Sequence, residues 1–283
     1  IPGVFDDSKM REGLKTLPEA QFCWTVSRGF PCMALMKAAK GLVLGIVSVG
    51  CVALTGCGGK GEDAEDSLKG KTFGKFTILD EVQTDNGDRS LAKKNAENTL
   101  GKYPEVDAMV GLWAYNAPQC LEALKDAGKL GAVKVFSFDE DEVALDAIKE
   151  GYCEGTIVQD PYLFGYDSMR YLKGIVVDDE MPKLNEGKNI PVPIRTIVKD
   201  NVEEFRKTVE DRLAAGEAAK GAEAPADAPK FAFITNVADP FWSHAEAGCY
   251  VAAKEFGVAV EFQMNSAATL AGQKRIVENI LNK

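Results

Sequence analysis

Histidine is almost missing from this chain: one residue, His244, stands among 283. A Cys/His zinc site or a His-based catalytic triad is nearly excluded on that ground. His244 itself falls in the middle of an expected helix, where a surface or rim position suits it better than catalysis. The seven cysteines include no C-x-x-C pair, fit no zinc spacing and are odd in number. Cys120, Cys153 and Cys249 read as small buried hydrophobes. Acid is missing from Ala20 to Gly61, where Arg28, Lys37 and Lys40 stand without Asp or Glu, although the whole chain carries a net charge of -10. An acidic chain argues against nucleic acid as partner, because a phosphate backbone is held by clustered Lys and Arg. What is present is an ordinary globular balance, 46% apolar and 27% charged residues. Collagen, wholesale disorder and a polytopic membrane protein are excluded, and at ~150 residues per domain the length suggests roughly two domains.

The acid-free stretch has the layout of a secretory signal. Met36-Lys-Ala-Ala-Lys40 is basic, residues 41–54 are apolar and uncharged, and Leu54-Thr55-Gly56-Cys57 closes the run. The run is too short for a membrane span of ~20 apolar residues. Its ending resembles the lipobox of bacterial lipoproteins, which implies lipidation of Cys57 and a polar tether after it. The boundaries read as 1–35 unassigned, 36–57 signal-like and 58–70 tether. A signal peptide should open a chain, so either Met36 is the true start or the segment does not act as one. Residues 42–49 could also form a buried strand. Gly56-Cys57-Gly58-Gly59-Lys60-Gly61 matches G-x-G-x-x-G and precedes Asp80 by roughly 20 residues, as a dinucleotide site would require. The helix that should follow is short, acidic where a pyrophosphate would sit, and stopped by Gly70.

Downstream, strand-like and helix-like segments alternate. Apolar or β-branched runs at 76–79, 108–112, 133–138, 155–158 and 194–198 are separated by amphipathic patterns at 90–100, 118–127, 142–149 and 166–174. That order predicts βαβ units, a doubly wound, mainly parallel α/β sheet and helices on both faces. Residues 202–213 add a helix. Residues 214–229, almost all Ala, Gly, Glu and Pro, offer nothing to anchor a core and read as a flexible linker. Beyond it, 231–235 and 258–263 predict strands, and 241–256 and 270–281 predict helices. Two βα units cannot close a doubly wound domain alone, so this piece must pair with something else.

Several colinear motifs carry a family resemblance. Phe-Ala-Phe-Ile-Thr-Asn-Val-Ala-Asp-Pro-Phe-Trp at 231–242, followed by Ala247-Gly248, resembles the opening strand and helix of periplasmic sugar-binding proteins of the ribose-binding type. Tyr-Pro-Glu-Val-Asp-Ala-Met-Val-Gly at 103–111, Leu-Glu-Ala-Leu-Lys-Asp-Ala-Gly at 121–128, Val-Phe-Ser-Phe-Asp at 135–139 and Thr-Ile-Val-Gln-Asp-Pro-Tyr at 156–162 resemble successive elements of that family's C-terminal lobe. The resemblance implies a C-lobe-like α/β domain at 71–213, a linker at 214–230 and a partial second lobe at 231–283. It also implies a non-enzymatic sugar receptor of an ABC importer that closes two lobes around a pentose or hexose. Partners would be the sugar and the transporter permease, with no cofactor and no metal. The protein would be exported to the periplasm or cell envelope, touching membrane only through a lipid at Cys57.

Sugars are held by planar polar side chains at their hydroxyls and by aromatic rings on their apolar faces. In a parallel α/β sheet these groups belong just beyond the carboxyl ends of the strands. Thr235, Asn236, Asp239, Phe241, Trp242, Trp113, Asp139 and Gln159 fall there. By the family pattern Phe241 and Trp242 stack on the sugar, Asp139 and Gln159 bond its hydroxyls, and Asp239 holds a position usually polar. Trp113, Tyr115 and Asn116 occupy the loop lining the family's cleft. Each has a plainer reading: Asp139 and Asp239 as helix caps, Phe241 and Trp242 as helix-start core. No residue is assigned to the family's arginine contact. The order departs from the family, with the signal-like segment before C-lobe motifs and the N-lobe opening last, as in a circularly rearranged chain. The middle of the N-lobe has no counterpart after Lys283, and residues 1–35 do not resemble it. Other readings are a sugar-sensing module, a dinucleotide-dependent oxidoreductase built on residues 56–61, and a rearranged fragment that binds nothing.

Overall fold

A computed structural model describes residues 69–73, 76–80, 82–185 and 189–283. The signal-like segment with Cys57, the glycine-rich residues 56–61 and nearly all of the expected tether lie outside the described residues. The chain is mixed α/β and, among the described residues, divides into two units, one within 69–158 and 195–204, the other within 159–194 and 205–283.

The first unit is built on a four-stranded sheet in the order β3-β4-β5-β6, with β3 at Ala108–Val110, β4 at Lys134–Phe138, β5 at Gly155–Val158 and β6 at Arg195–Ile197. The first three strands are parallel and β6 closes the edge antiparallel to β5. Helices α1 (Arg89–Lys102), α2 (Asn116–Asp126) and α3 (Glu142–Glu150) alternate with them. Their ends follow from local chemistry. The Asp88 carboxylate accepts from the N–H groups of Ser90 and Leu91, Asp141 accepts from Val143, and Gly151 ends α3 at φ +90°. Inward from α3 point Ala144, Leu145, Ala147 and Ile148, all buried. The strand expected at 76–79 shortens to Phe76–Thr77 (β2), paired antiparallel with Thr72–Phe73 (β1) as a small hairpin outside the main sheet.

The second unit holds a separate two-stranded parallel sheet, β7 (Lys230–Ile234) beside β8 (Ala259–Gln263). After the exposed Lys230, strand β7 is apolar and buried because both its faces are covered. Phe231 and Phe233 meet Trp242, Ala245, Cys249 and Ala252 of α6 (Phe241–Phe256) and Met169 and Leu172 of α4 (Pro161–Lys173). On the other face Ala232 and Ile234 meet Ile280 of α7 (Leu270–Leu281). Full burial of a residue such as Phe233 or Met169 stabilises by about 1.5–3 kcal/mol.

The contiguous lobe expected at 71–213 is thus distributed over both units. Its residues 159–194 belong with 231–283, because α4 has its apolar partners on α6 and β7. The two helices meet backbone to backbone: a Cβ at Gly165 would collide with the Ala245 carbonyl, and one at Gly248 with the Tyr162 carbonyl. Helix α4 also starts earlier than the expected 166, since Asp160 caps it and Pro161 fits its first turn.

The expected linker is corrected in part. Helix α5 runs Val202–Ala219, six positions past the expected end at 213. Ala and Glu favour helix there, and small size is what anchors it: Gly216 and Ala219 are buried, and a Cβ on Gly216 would strike Ala247 of α6. Cys153 and Cys249 are buried and Cys120 is half-buried, all as free thiols. Burial pushes the Cys120 thiol up to about 11 and raises the other two, so none is poised to react.

Candidate functional site

In the first unit the expected residues gather beyond the carboxyl ends of two neighbouring parallel strands. After β3, the Trp113 ring stands 50% exposed while Tyr115 beside it is buried, their ring centroids 6.4 Å apart. Asn116 opens α2, and its Oδ1 accepts the Trp113 N–H at 2.9 Å. The Tyr115 hydroxyl donates to Asp85 Oδ1 and the Asn116 amide to Asp85 Oδ2, both at 2.6 Å. Burial, and then the hydrogen bond to Asp85, hold the Tyr115 phenol well above its ordinary pKa. The Arg89 guanidinium lies over the Tyr115 ring, 5.0 Å from its centroid.

After β4 comes Asp139, 5% exposed, with φ +61°. Its N–H donates to the Ile157 carbonyl at 2.8 Å, and its carbonyl accepts from Thr156 Oγ1 at 2.7 Å. Left-handed backbone is uncommon for a residue with a side chain and clusters where geometry serves function. The capping reading does not hold for Asp139, because Asp141 caps the helix that follows.

In the second unit the expected residues separate by role. Thr235 is buried, donating from Oγ1 to the Val237 carbonyl at 2.6 Å, and its own carbonyl accepts from Gln273 Nε2 at 3.3 Å. Asn236 is exposed, and its carbonyl accepts from Asn265 Nδ2 at 3.0 Å. Asp239 accepts the Phe241 N–H at 3.0 Å and so serves the start of α6, as the capping reading had it. Phe241 is half-buried, its ring edge-on to Trp242 at 5.0 Å. Trp242 is corrected: at 8% exposed, within the cluster of Phe231, Phe233 and Met169, its ring is core and has no face free for a ligand. Gln159, directly after β5, is half-buried.

Sequence reasoning passed over two groups. Asp85 and Arg89 lie in and just after the Asp85-Asn-Gly-Asp88 turn, whose turn residues and helix cap were visible signals. Asp160, at φ +62°, accepts from Arg212 Nη1 at 2.9 Å, and Arg212 lies over the Tyr162 ring at 4.6 Å. His244, expected at the surface or rim, is half-buried nearby, and burial lowers its pKa to about 4, with Asp160 opposing and Arg212 assisting. A groove of about 380 Å3 between α5 and α6 is lined by Leu213, Glu217, Lys220, Glu246 and Tyr250 among others, and by none of the expected ligand residues. Among the described residues no group of His, Cys, Asp and Glu is placed to hold a metal, and no helix is long and apolar enough to cross a membrane.

The family described as periplasmic binding protein domain matches residues 61–179. Comparison with curated proteins gives no match. Among solved structures, the chain is similar to an ABC transporter solute-binding protein from Bacillus halodurans with bound myo-inositol, at 30% identity over 42% of this chain and 40% of that one, TM-score 0.37. An arabinose-binding protein from Geobacillus stearothermophilus is 27% identical over 46% and 45%, TM-score 0.39. A solute-binding protein from Agrobacterium vitis with bound D-fucose is 20% identical over 47% and 43%, TM-score 0.42. The chain spans less than half the length of these structures.

Proposed function

We propose, with the periplasmic-binding-protein character of residues 61–179 as premise, that this chain binds a monosaccharide without chemically altering it and serves an ABC importer. The observation that carries the reading is the pairing, beyond β3 and β4 of one sheet, of a half-exposed indole with a buried carboxylate on left-handed backbone. Trp113 supplies an aromatic face for the apolar face of a sugar ring. Asp139 supplies a buried carboxylate on backbone held by Ile157 and Thr156, which lowers the ordering cost of binding. Arg89, whose guanidinium lies over the Tyr115 ring, adds donors. In the second unit, taken by itself, Asn236 is exposed and Phe241 half-buried beyond β7, while Thr235 and Asp239 hold the backbone around them. A pentose, a hexose or a cyclitol fits this chemistry. The transporter permease is the protein partner, and lipidation at Cys57 holds the protein at the membrane of the cell envelope.

The test is a thermal-shift screen of the full chain against D-ribose, L-arabinose, D-galactose, D-glucose and myo-inositol, followed by calorimetry. A ligand at 100 times its Kd stabilises by about 2.7 kcal/mol. The expected outcome is a shift for at least one sugar, lost in Asp139→Ala and weakened in Trp113→Ala. A chain that folds and shifts with none of them refutes the receptor reading and leaves the rearranged fragment without ligand.

A further inference from the structure

Asp85 belongs to none of the motifs that led to the ligand, yet one carboxylate there organises the Trp113 loop. Its Oδ1 accepts from the Tyr115 hydroxyl at 2.6 Å and from the Gly87 N–H at 2.8 Å. Its Oδ2 accepts from the Asn116 amide at 2.6 Å, which leaves Asn116 Oδ1 to accept the Trp113 N–H at 2.9 Å. The Asn116 N–H in turn donates to the Trp113 carbonyl at 2.9 Å. The backbone N–H and C=O of Trp113 are thus both tied to Asn116, whose side chain Asp85 holds. Helix α1 does not need the acid, since Asp88 already caps it. Hydrogen bonds to an ionised acceptor are roughly twice as strong as neutral ones, and here they fall on a loop whose Trp113 side chain is half-exposed.

We propose that Asp85 is a positioning residue, which through Tyr115 and Asn116 pre-sets the exposed Trp113 indole as a stacking platform for the apolar face of a sugar. The sugar rests on the function proposed above; the positioning does not. An exposed aromatic that wanders among rotamers must be ordered on binding, and a fixed one has already met that cost.

The test labels the full chain with 5-fluorotryptophan and assigns the Trp113 19F resonance by Trp113→Phe. Asp85→Ala is expected to shift and broaden that resonance while leaving the Trp242 resonance in place. Asp88→Ala, which uncaps α1 in the same turn, serves as the control for general loosening and should leave Trp113 unmoved. Asp85→Asn keeps an acceptor for Tyr115 and Gly87 but sets an amide NH2 against that of Asn116, so it should perturb Trp113 as well. Adding Asn116→Asp reverses the donor and acceptor of that bond and should restore the wild-type resonance. With whichever of D-ribose, L-arabinose, D-galactose, D-glucose or myo-inositol binds the wild type, Kd should rise about tenfold in Asp85→Ala and recover in the double variant. An unmoved Trp113 resonance in Asp85→Ala, an equal shift in Asp88→Ala, no restoration by the double variant, or unchanged Kd each overturns the proposal. If the wild type binds none of the five, the sugar reading fails on its own and the 19F comparison still decides the positioning.

Discussion

His244 is half-buried on α6, with Asp160 and Arg212 as the charges acting on it. Its folded pKa of about 4 lies below the value of 6.5 it has when exposed. The unfolded chain therefore binds a proton that the folded chain refuses across that interval. Stability from neutral His244 is fully present above pH 6.5, declines as pH falls, and is gone below about 4, a loss on the order of 3 kcal/mol. Urea titrations at pH 7.5 and pH 4.5 should show that loss, and His244→Gln should narrow the gap between them. An unchanged gap would place the proton elsewhere. The two tryptophans make a sharper contrast. Trp242→Ala should cost about 3–5 kcal/mol of stability, since it empties the cluster around Phe233. Trp113→Ala, half-exposed, should cost within about 0.5 kcal/mol and act on ligand affinity alone. Composition could not separate them, since both stand beyond the carboxyl end of a strand. Periodicity could have, because Trp242, Ala245, Cys249 and Ala252 repeat at helical spacing on one buried face.

At the scale of elements the alternation of strand and helix was legible almost throughout, and the helices at 241–256 and 270–281 match the expected bounds. Those segments carry strong period and clear punctuation. Less legible were ends set by a cap or by small size, namely the start of α4 at Asp160-Pro161 and the run of α5 through 214–219. Small residues look like linker in composition, yet in packing they mark closest approach. Glycines test the point in opposite directions. Gly248→Ala sets a methyl group against the Tyr162 carbonyl and should cost about 1–3 kcal/mol. Gly101→Ala, in α1 with nothing near its added carbon, should gain up to about 1 kcal/mol. Urea denaturation of both variants measures the pair, and destabilisation by Gly101→Ala as large as that by Gly248→Ala would deny that α4 and α6 are in backbone contact.

For the whole molecule, what sequence could not reveal was which segments share a core. Local pattern identifies a helix with an apolar stripe but not the partner that covers it. The motif order suggested one contiguous lobe at 71–213, whereas residues 159–194 and 231–283 form one unit and 195–204 return to the other. This division has a consequence for truncation. A chain ended after Ala219 keeps every strand of the four-stranded sheet, including β6, so that unit should still unfold cooperatively. Helix α4 would lose Phe231, Phe233 and the buried face of α6, leaving Met169 and Leu172 uncovered. Such exposed apolar surface binds ANS, and a helix cut from its apolar partners is marginal in water. The truncated chain should therefore combine strong ANS fluorescence and a helical deficit larger than the removed α6 and α7 account for with a surviving cooperative transition. A truncated chain with no ANS binding and α4 intact would show that 159–194 is held by the four-stranded unit instead, and that the contiguous lobe read from motif order was right.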